Sequence, residues 1–192
     1  MTARWVVDEV APHRDLNVVW QPISLMFKND IEPDAENYAA VFATHRMLRV
    51  MEAVRSEYGD AAVQRWYLLA GTVVHHDGDR DTADLGAMLE RLDFDPKLAE
   101  AADDDSWDDE IRRRMDVGLE LAGDDIGTPI IAFDNADGER QAYFGPVITR
   151  VPPGDLSLKL WDALTAMMDV PGFWELKRTR TESPELGDRP DV

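Results

Sequence analysis

Cysteine is absent from all 192 residues. Within this chain that excludes disulfides, thiolate catalysis and cysteine-ligated metal sites, while saying little about compartment. No apolar run approaches the ~20 residues needed to span a bilayer. Positive charge is scarce: 20 Lys and Arg face 39 Asp and Glu, for a net charge of −19. Phosphate recognition needs clustered cations, so neither nucleic acid nor an anionic membrane surface fits as main partner. The opening Met1-Thr2-Ala3-Arg4-Trp5 lacks the basic-then-apolar order of a signal peptide. A cytoplasmic location is therefore expected. A dinucleotide fingerprint and a P-loop are missing too, since Gly123 and Gly127 stand isolated. Ser106 lacks the Gly-x-Ser-x-Gly elbow of a hydrolase nucleophile and reads as a helix cap.

What is present suffices for a packed core. Hydrophobic residues make up 44% and there are six Trp, enough for one ordinary domain or a domain with a sizeable insertion. The charged remainder, 31%, solvates the surface.

The spacing of apolar residues predicts a helix over 3–11, carrying Trp5, Val6 and Val10 and stopped by Pro12. Leu16 to Ile23, with Val18, Val19 and Trp20, predicts a strand that loosens at Pro22. From 34 to about 122 the pattern is helical. Asp34 caps a helix ending near Gly59, Asp60 caps the next, and Thr82 caps a short one. Asp95-Pro96 and Ser106-Trp107-Asp108-Asp109 open two more. After Asp124 the texture changes. Thr128-Pro129-Ile130-Ile131-Ala132-Phe133 is a buried-strand signature, and Asn135 to Glu139 turns into a second strand over Gln141 to Ile148, completing a hairpin. A helix follows over about 155–168, and then a charged tail.

Several residue clusters invite chemistry and favour structural readings. His75-His76-Asp77-Gly78-Asp79 reads as a solvated turn, because adjacent His residues point apart and no further ligand cluster completes a metal site. Asp103-Asp104-Asp105 and Asp108-Asp109-Glu110 lack the EF-hand spacing and suit a helix start electrostatically. His45, on an apolar helix face, reads as a satisfied core residue. Arg112-Arg113-Arg114 reads as a solvated, salt-bridged face.

Gly127-Thr128-Pro129, Tyr143-Phe144-Gly145-Pro146-Val147, Lys159-Leu160-Trp161-Asp162-Ala163 and the long string Phe173-Trp174-Glu175-Leu176-Lys177-Arg178-Thr179-Arg180-Thr181-Glu182 carry a resemblance. With Thr2, Arg4-Trp5, Ser24-Leu25, Asn29 and Tyr38, they are similar to the DsbA family of thioredoxin-fold oxidoreductases. Within it they resemble the actinobacterial mycothiol-dependent reductase and nitroreductase group. The resemblance implies an α/β, thioredoxin-like fold with an inserted all-helical domain. The expected divisions are an incomplete N-terminal half at 1–33, the helical insertion at 34–123, the C-terminal half at 124–172 and a tail at 173–192.

That family places a Cys-x-x-Cys motif, or a single Cys, at the start of the first helix, directly after the first strand. There the helix dipole and free amides lower the thiol pKa. Met1 to Trp5 match positions just after this motif, so the first strand and the cysteine are expected upstream of residue 1. The alternative is a truly shortened chain, inert or repurposed. No catalytic residue is expected within the chain itself. The resemblance implies a cis peptide at Thr128-Pro129 facing the thiol, with Asn29 and Tyr38 lining the substrate side. It also implies no bound cofactor, mycothiol as thiol cosubstrate, and a small disulfide or electrophile as substrate. Two other functions stand beside it: a non-enzymatic thioredoxin-like binding domain, and an isomerase-like enzyme of the kappa-class glutathione transferase branch.

Overall fold

The computed structural model describes residues 1–192. It is mainly helical, with a two-stranded sheet, and divides into two compact units. One comprises Met1–Val18 and Val117–Gly187, the other Val19–Asp116 and Asp188–Val192. The expected limits at 33 and 123 fall inside the second and the first unit, respectively.

The first unit opens with α1 (Thr2–Arg4), continued by a π turn at Trp5–Val10 and a 3-10 turn at Ala11–His13 that contains Pro12. Its strands are β1 (Ile130–Asp134) and β2 (Arg140–Phe144), antiparallel with Ala132 opposite Ala142. The intervening turn is held by Asn135, whose side-chain oxygen accepts the Asp137 and Glu139 amides at 3.1 and 2.8 Å. β2 stops at Phe144, short of the expected Ile148. Gly145 turns to φ 101° and Pro146 has no N–H to continue a ladder. The helix α7 (Asp155–Met168) then packs Trp161 and Leu164 against Trp5 and Val10, all of them buried. Trp5 donates its indole N–H to the Ser157 carbonyl at 3.3 Å. Ile131, Phe133 and Tyr143 cover this core while remaining half-buried.

The second unit holds a short turn of helix, α2 (Leu25–Lys28), and then α3 (Tyr38–Tyr58), α4 (Asp60–Thr72) and α5 (Leu85–Arg91). Two 3-10 stretches, Pro96–Asp103 and Asp105–Trp107, lead into α6 (Asp108–Ala122), whose later turns belong to the first unit. Gly59, at φ 80°, ends α3 in a conformation that a side chain would strain. Met47, Val50, Met51 and Val54 of α3 meet Val63, Trp66 and Leu69 of α4 and Leu85, Met88 and Leu89 of α5. Each such side chain contributes about 1.5–3 kcal/mol of burial.

The strand expected over Leu16 to Ile23 does not form. A β run is a strand only when a neighbour completes its ladder, and none does so here. The Leu16 amide turns to the Arg14 carbonyl at 2.9 Å, and Pro22 has none to offer. Trp20 stacks on Tyr67 with ring centres 4.4 Å apart, and its carbonyl accepts from Arg55 at 2.8 Å.

Candidate functional site

Thr128 and Pro129 lead into β1. Their peptide is cis, Thr128 is exposed, and the Pro129 carbonyl accepts the Gly145 amide at 2.8 Å. Gly127 lies against the Phe144 ring, where a Cβ would sit 3.4 Å from the ring edge. This corner is thus fixed by backbone bonding and close packing, and it leaves Thr128 exposed.

Asn29 and Tyr38 belong to the other unit. Asn29 closes α2, donating its backbone N–H to Leu25 at 3.2 Å, and its side chain is exposed. Tyr38 is the first residue of α3 and stacks almost parallel on Phe42, ring centres 5.4 Å apart. Neither the Asn29 amide nor the Tyr38 hydroxyl is committed to a hydrogen bond within the protein.

The most ordered polar chemistry lies in residues that sequence reasoning left in the background. His45 is 1% exposed. Its Nδ1 faces Ser24 Oγ at 2.9 Å and its Nε2 faces Asp108 Oδ1 at 3.0 Å. Arg49 donates Nε and Nη2 to the two Asp108 oxygens at 2.7 and 2.9 Å, and Nη1 to the Ala102 carbonyl at 3.1 Å. Burial pushes the His45 imidazole below its ordinary range, although the Asp108 carboxylate pulls the other way. Burial alone would raise Asp108, but hydrogen bonds from Arg49 and His45 outweigh it and hold the carboxyl below its usual range. Neutral His45 therefore donates Nε2–H to Asp108 and accepts the Ser24 hydroxyl at Nδ1.

The order Ser24–His45–Asp108 resembles a nucleophilic relay, but the surroundings rule that role out. The Ser24 side chain is 1% exposed, and its oxygen already caps α2 by accepting the Phe27 amide at 3.3 Å. Asp108 is neutralised by a bidentate guanidinium. The chain of bonds ties α2, α3 and the start of α6 together.

A second network centres on Glu52, also 1% exposed. Arg55 Nε reaches it at 2.8 Å and Arg114 Nε at 3.1 Å. Arg55 also pairs with Asp60, and Arg114 with Glu110 at 2.6 Å. Bonds from Arg113 and Arg114 bring the Glu110 carboxyl down to about 2. Arg112 lies 3.5 Å over the Phe27 ring. Arg112 and Arg113 thus lie on the solvated, salt-bridged face that was expected, and only Arg114 turns inwards to reach Glu52. A cleft of about 490 Å³ opens beside Glu52 and Arg55, walled by Trp107 and Ser106. The signal for both networks was the spacing of His45, Arg49 and Glu52, which puts three polar residues on one face of α3.

His75, His76 and Asp77 occupy the last turn after α4, and Asp77 pairs with Arg189 at 2.6 and 2.8 Å. No helix is long and apolar enough to cross a membrane.

The Rv2466c-like family model, described as mycothiol-dependent nitroreductase Rv2466c, matches residues 1–178 of this chain. The chain belongs to the Rv2466c-like family. An uncharacterized protein of Mycobacterium tuberculosis (strain ATCC 25618 / H37Rv), Rv2286c, is 25% identical over 183 residues. That match covers 94% of this chain and 76% of the relative. Membership supports a mycothiol-dependent oxidoreductase at the level of the family. The Thr128-Pro129 corner lies inside the matched region, as do both buried networks.

Proposed function

We propose that this chain is the scaffold of a cytoplasmic, DsbA-type, mycothiol-dependent oxidoreductase whose reactive thiol lies on a strand and turn preceding residue 1. The family match over residues 1–178 carries this reading. The open side of β1 supports it. The sheet has two strands, and the apolar Ile130, Ile131 and Phe133 are only half-buried, although their run suits a strand covered on both faces. A third strand beside β1 satisfies that edge and brings a helix-start cysteine to α1. The fold is then thioredoxin-like, with the helices between its halves as an insertion.

In this reading the thiolate attacks one sulfur of a disulfide, forming a mixed disulfide as the other sulfur leaves as a thiolate. A mycothiol thiolate then attacks the mixed disulfide and returns the enzyme thiolate. The backbone of the exposed Thr128 pairs with the bound thiol, while the uncommitted Asn29 amide and Tyr38 hydroxyl orient the polar part of an electrophilic substrate. The chain as it stands, without cysteine, carries out no thiol–disulfide chemistry.

The test begins with the coding DNA upstream of Met1. An in-frame strand followed by a Cys-containing turn is expected. The extended protein should reduce a mycothiol-linked disulfide, and the 192-residue chain should not. Turnover by the 192-residue chain, or a stop codon directly upstream of a folded native protein, rejects the proposal.

A further inference from the structure

The cleft beside Glu52 belongs to the second, helical unit alone. α3 supplies Glu52, Arg55 and Ser56, while the 3-10 turn Asp105–Trp107 and α6 supply Trp107, Glu110 and Arg114. Its volume, about 490 Å³, suits a small molecule. Its charges cancel, because Glu52, Asp60 and Glu110 answer Arg55, Arg113 and Arg114 one for one. The hydrogen-bonding capacity left over is mixed. Arg55 is spent on Glu52, Asp60 and the Trp20 carbonyl. Arg114 gives Nε to Glu52 and Glu110 and Nη1 to Gln21 at 3.4 Å, leaving Nη2 without a partner. Glu110 Oε2 accepts a single bond, from Arg113 Nε at 2.7 Å, and so keeps a lone pair. The Ser56 hydroxyl and the Trp107 indole N–H have no partner within the protein.

A hydroxyl group donates and accepts at once, so neighbouring hydroxyls meet a guanidinium N–H and a carboxylate oxygen side by side. A carboxylate satisfies only the donors and an ammonium only the acceptors. Either brings a charge that this balanced set does not answer. The half-buried Trp107 indole offers a flat wall for the C–H face of a sugar ring. Glu52, 1% exposed, holds Arg114 Nε at 3.1 Å, so the free donor is in place before any ligand arrives. We infer that this cleft is a binding site for a neutral sugar. A pyranose ring lies against Trp107, while its hydroxyls accept from Arg114 Nη2, donate to Glu110 and exchange bonds with Ser56. The assignment rests on the helical unit and is independent of the thiol chemistry.

Saturation-transfer NMR and calorimetry on the intact chain test it, with the methyl pyranosides of glucose, galactose and mannose as probes. At least one should bind saturably below about 50 mM, with saturation passing to the ring protons of one face. Trp107→Ala should weaken that binding about tenfold, and Trp107→Phe, which keeps a flat ring, should restore most of it. Ser56→Ala, at an exposed position, should weaken it about threefold. Circular dichroism verifies that each variant is folded. Benzoate and benzylamine, an anionic and a cationic ring, should not compete with the sugar. Three results overturn the proposal: no pyranoside binds, binding is indifferent to both Trp107→Ala and Ser56→Ala, or benzoate or benzylamine displaces the sugar.

Discussion

In the helical unit, α3, α4 and α5 enclose a continuous apolar core, and even the charged residues inside it are bound on every side. In the other unit, four buried residues, Trp5, Val10, Trp161 and Leu164, form the core, and no residue of the β1–β2 hairpin is fully buried. An isolated two-stranded hairpin is marginal in water. One unit thus owns its stability, while the sheet of the other leans on a small aromatic cluster. The contrast shows where the polar economy of the fold was settled: the helical unit buries charge because it has partners to bind it, and the hairpin keeps an open edge.

The contrast is broken most severely by Trp66→Ala. Trp66 is 1% exposed and donates its indole N–H to the Met47 carbonyl at 3.0 Å. Its loss should cost about 3–5 kcal/mol in urea unfolding. Next comes Arg49→Met, which leaves Asp108 without its bidentate partner. A destabilisation of about 3 kcal/mol is expected, and adding Asp108→Asn should recover part of it. In the hairpin, Ile131→Ala should cost only about 1 kcal/mol, because the side chain is already half exposed. Hydrogen exchange sharpens the same point: β1 and β2 amides should exchange well before those of α3.

The smallest effect is one of pH. Because the folded pKa of His45 lies below its ordinary 6.5, the unfolded chain takes up a proton that the folded protein refuses. Stability should therefore fall as pH drops below 6.5, and His45→Gln should flatten that slope. Glu110 acts in a separate window. Its contribution is complete above 4.5 and is lost as pH falls towards about 2. Burial lowers His75 in the same window, so the difference between thermal melts of the wild type and His45→Gln from pH 7 to 4.5 isolates the His45 imidazole.

Local chemistry was readable in the sequence. α7 lies where its spacing put it, Asp95 caps the 3-10 stretch by accepting the Lys97 amide at 2.9 Å, and Asn135 opens the hairpin turn. Thr82 was a plausible cap, yet its hydroxyl bonds to Asp79 while Asp84, directly before Leu85, accepts the Ala87 amide at 3.0 Å. Leu16 to Ile23 had the right residues for a strand and no neighbour to complete it, a fact that composition does not contain. The buried networks were hidden for a related reason. Arg49 and Asp108 are 59 residues apart, and only the packing of α3 against the start of α6 reveals that they meet. The same limit applies to the candidate site. The Thr128-Pro129 corner is local and legible, but the free state of the Asn29 amide and the Tyr38 hydroxyl emerges only once their neighbours are placed.

The sharing of Glu52 between Arg55 and Arg114 has a consequence for the history of this family. Losing the acid leaves Arg55 with only Asp60 and Arg114 with only Glu110 as counter-ion, and losing either arginine leaves the buried Glu52 carboxylate with a single cation. No single step away from the trio is neutral. Positions 52, 55 and 114 should therefore be inherited as one character, kept whole in some lineages and exchanged together for apolar residues in others, with few sequences caught between.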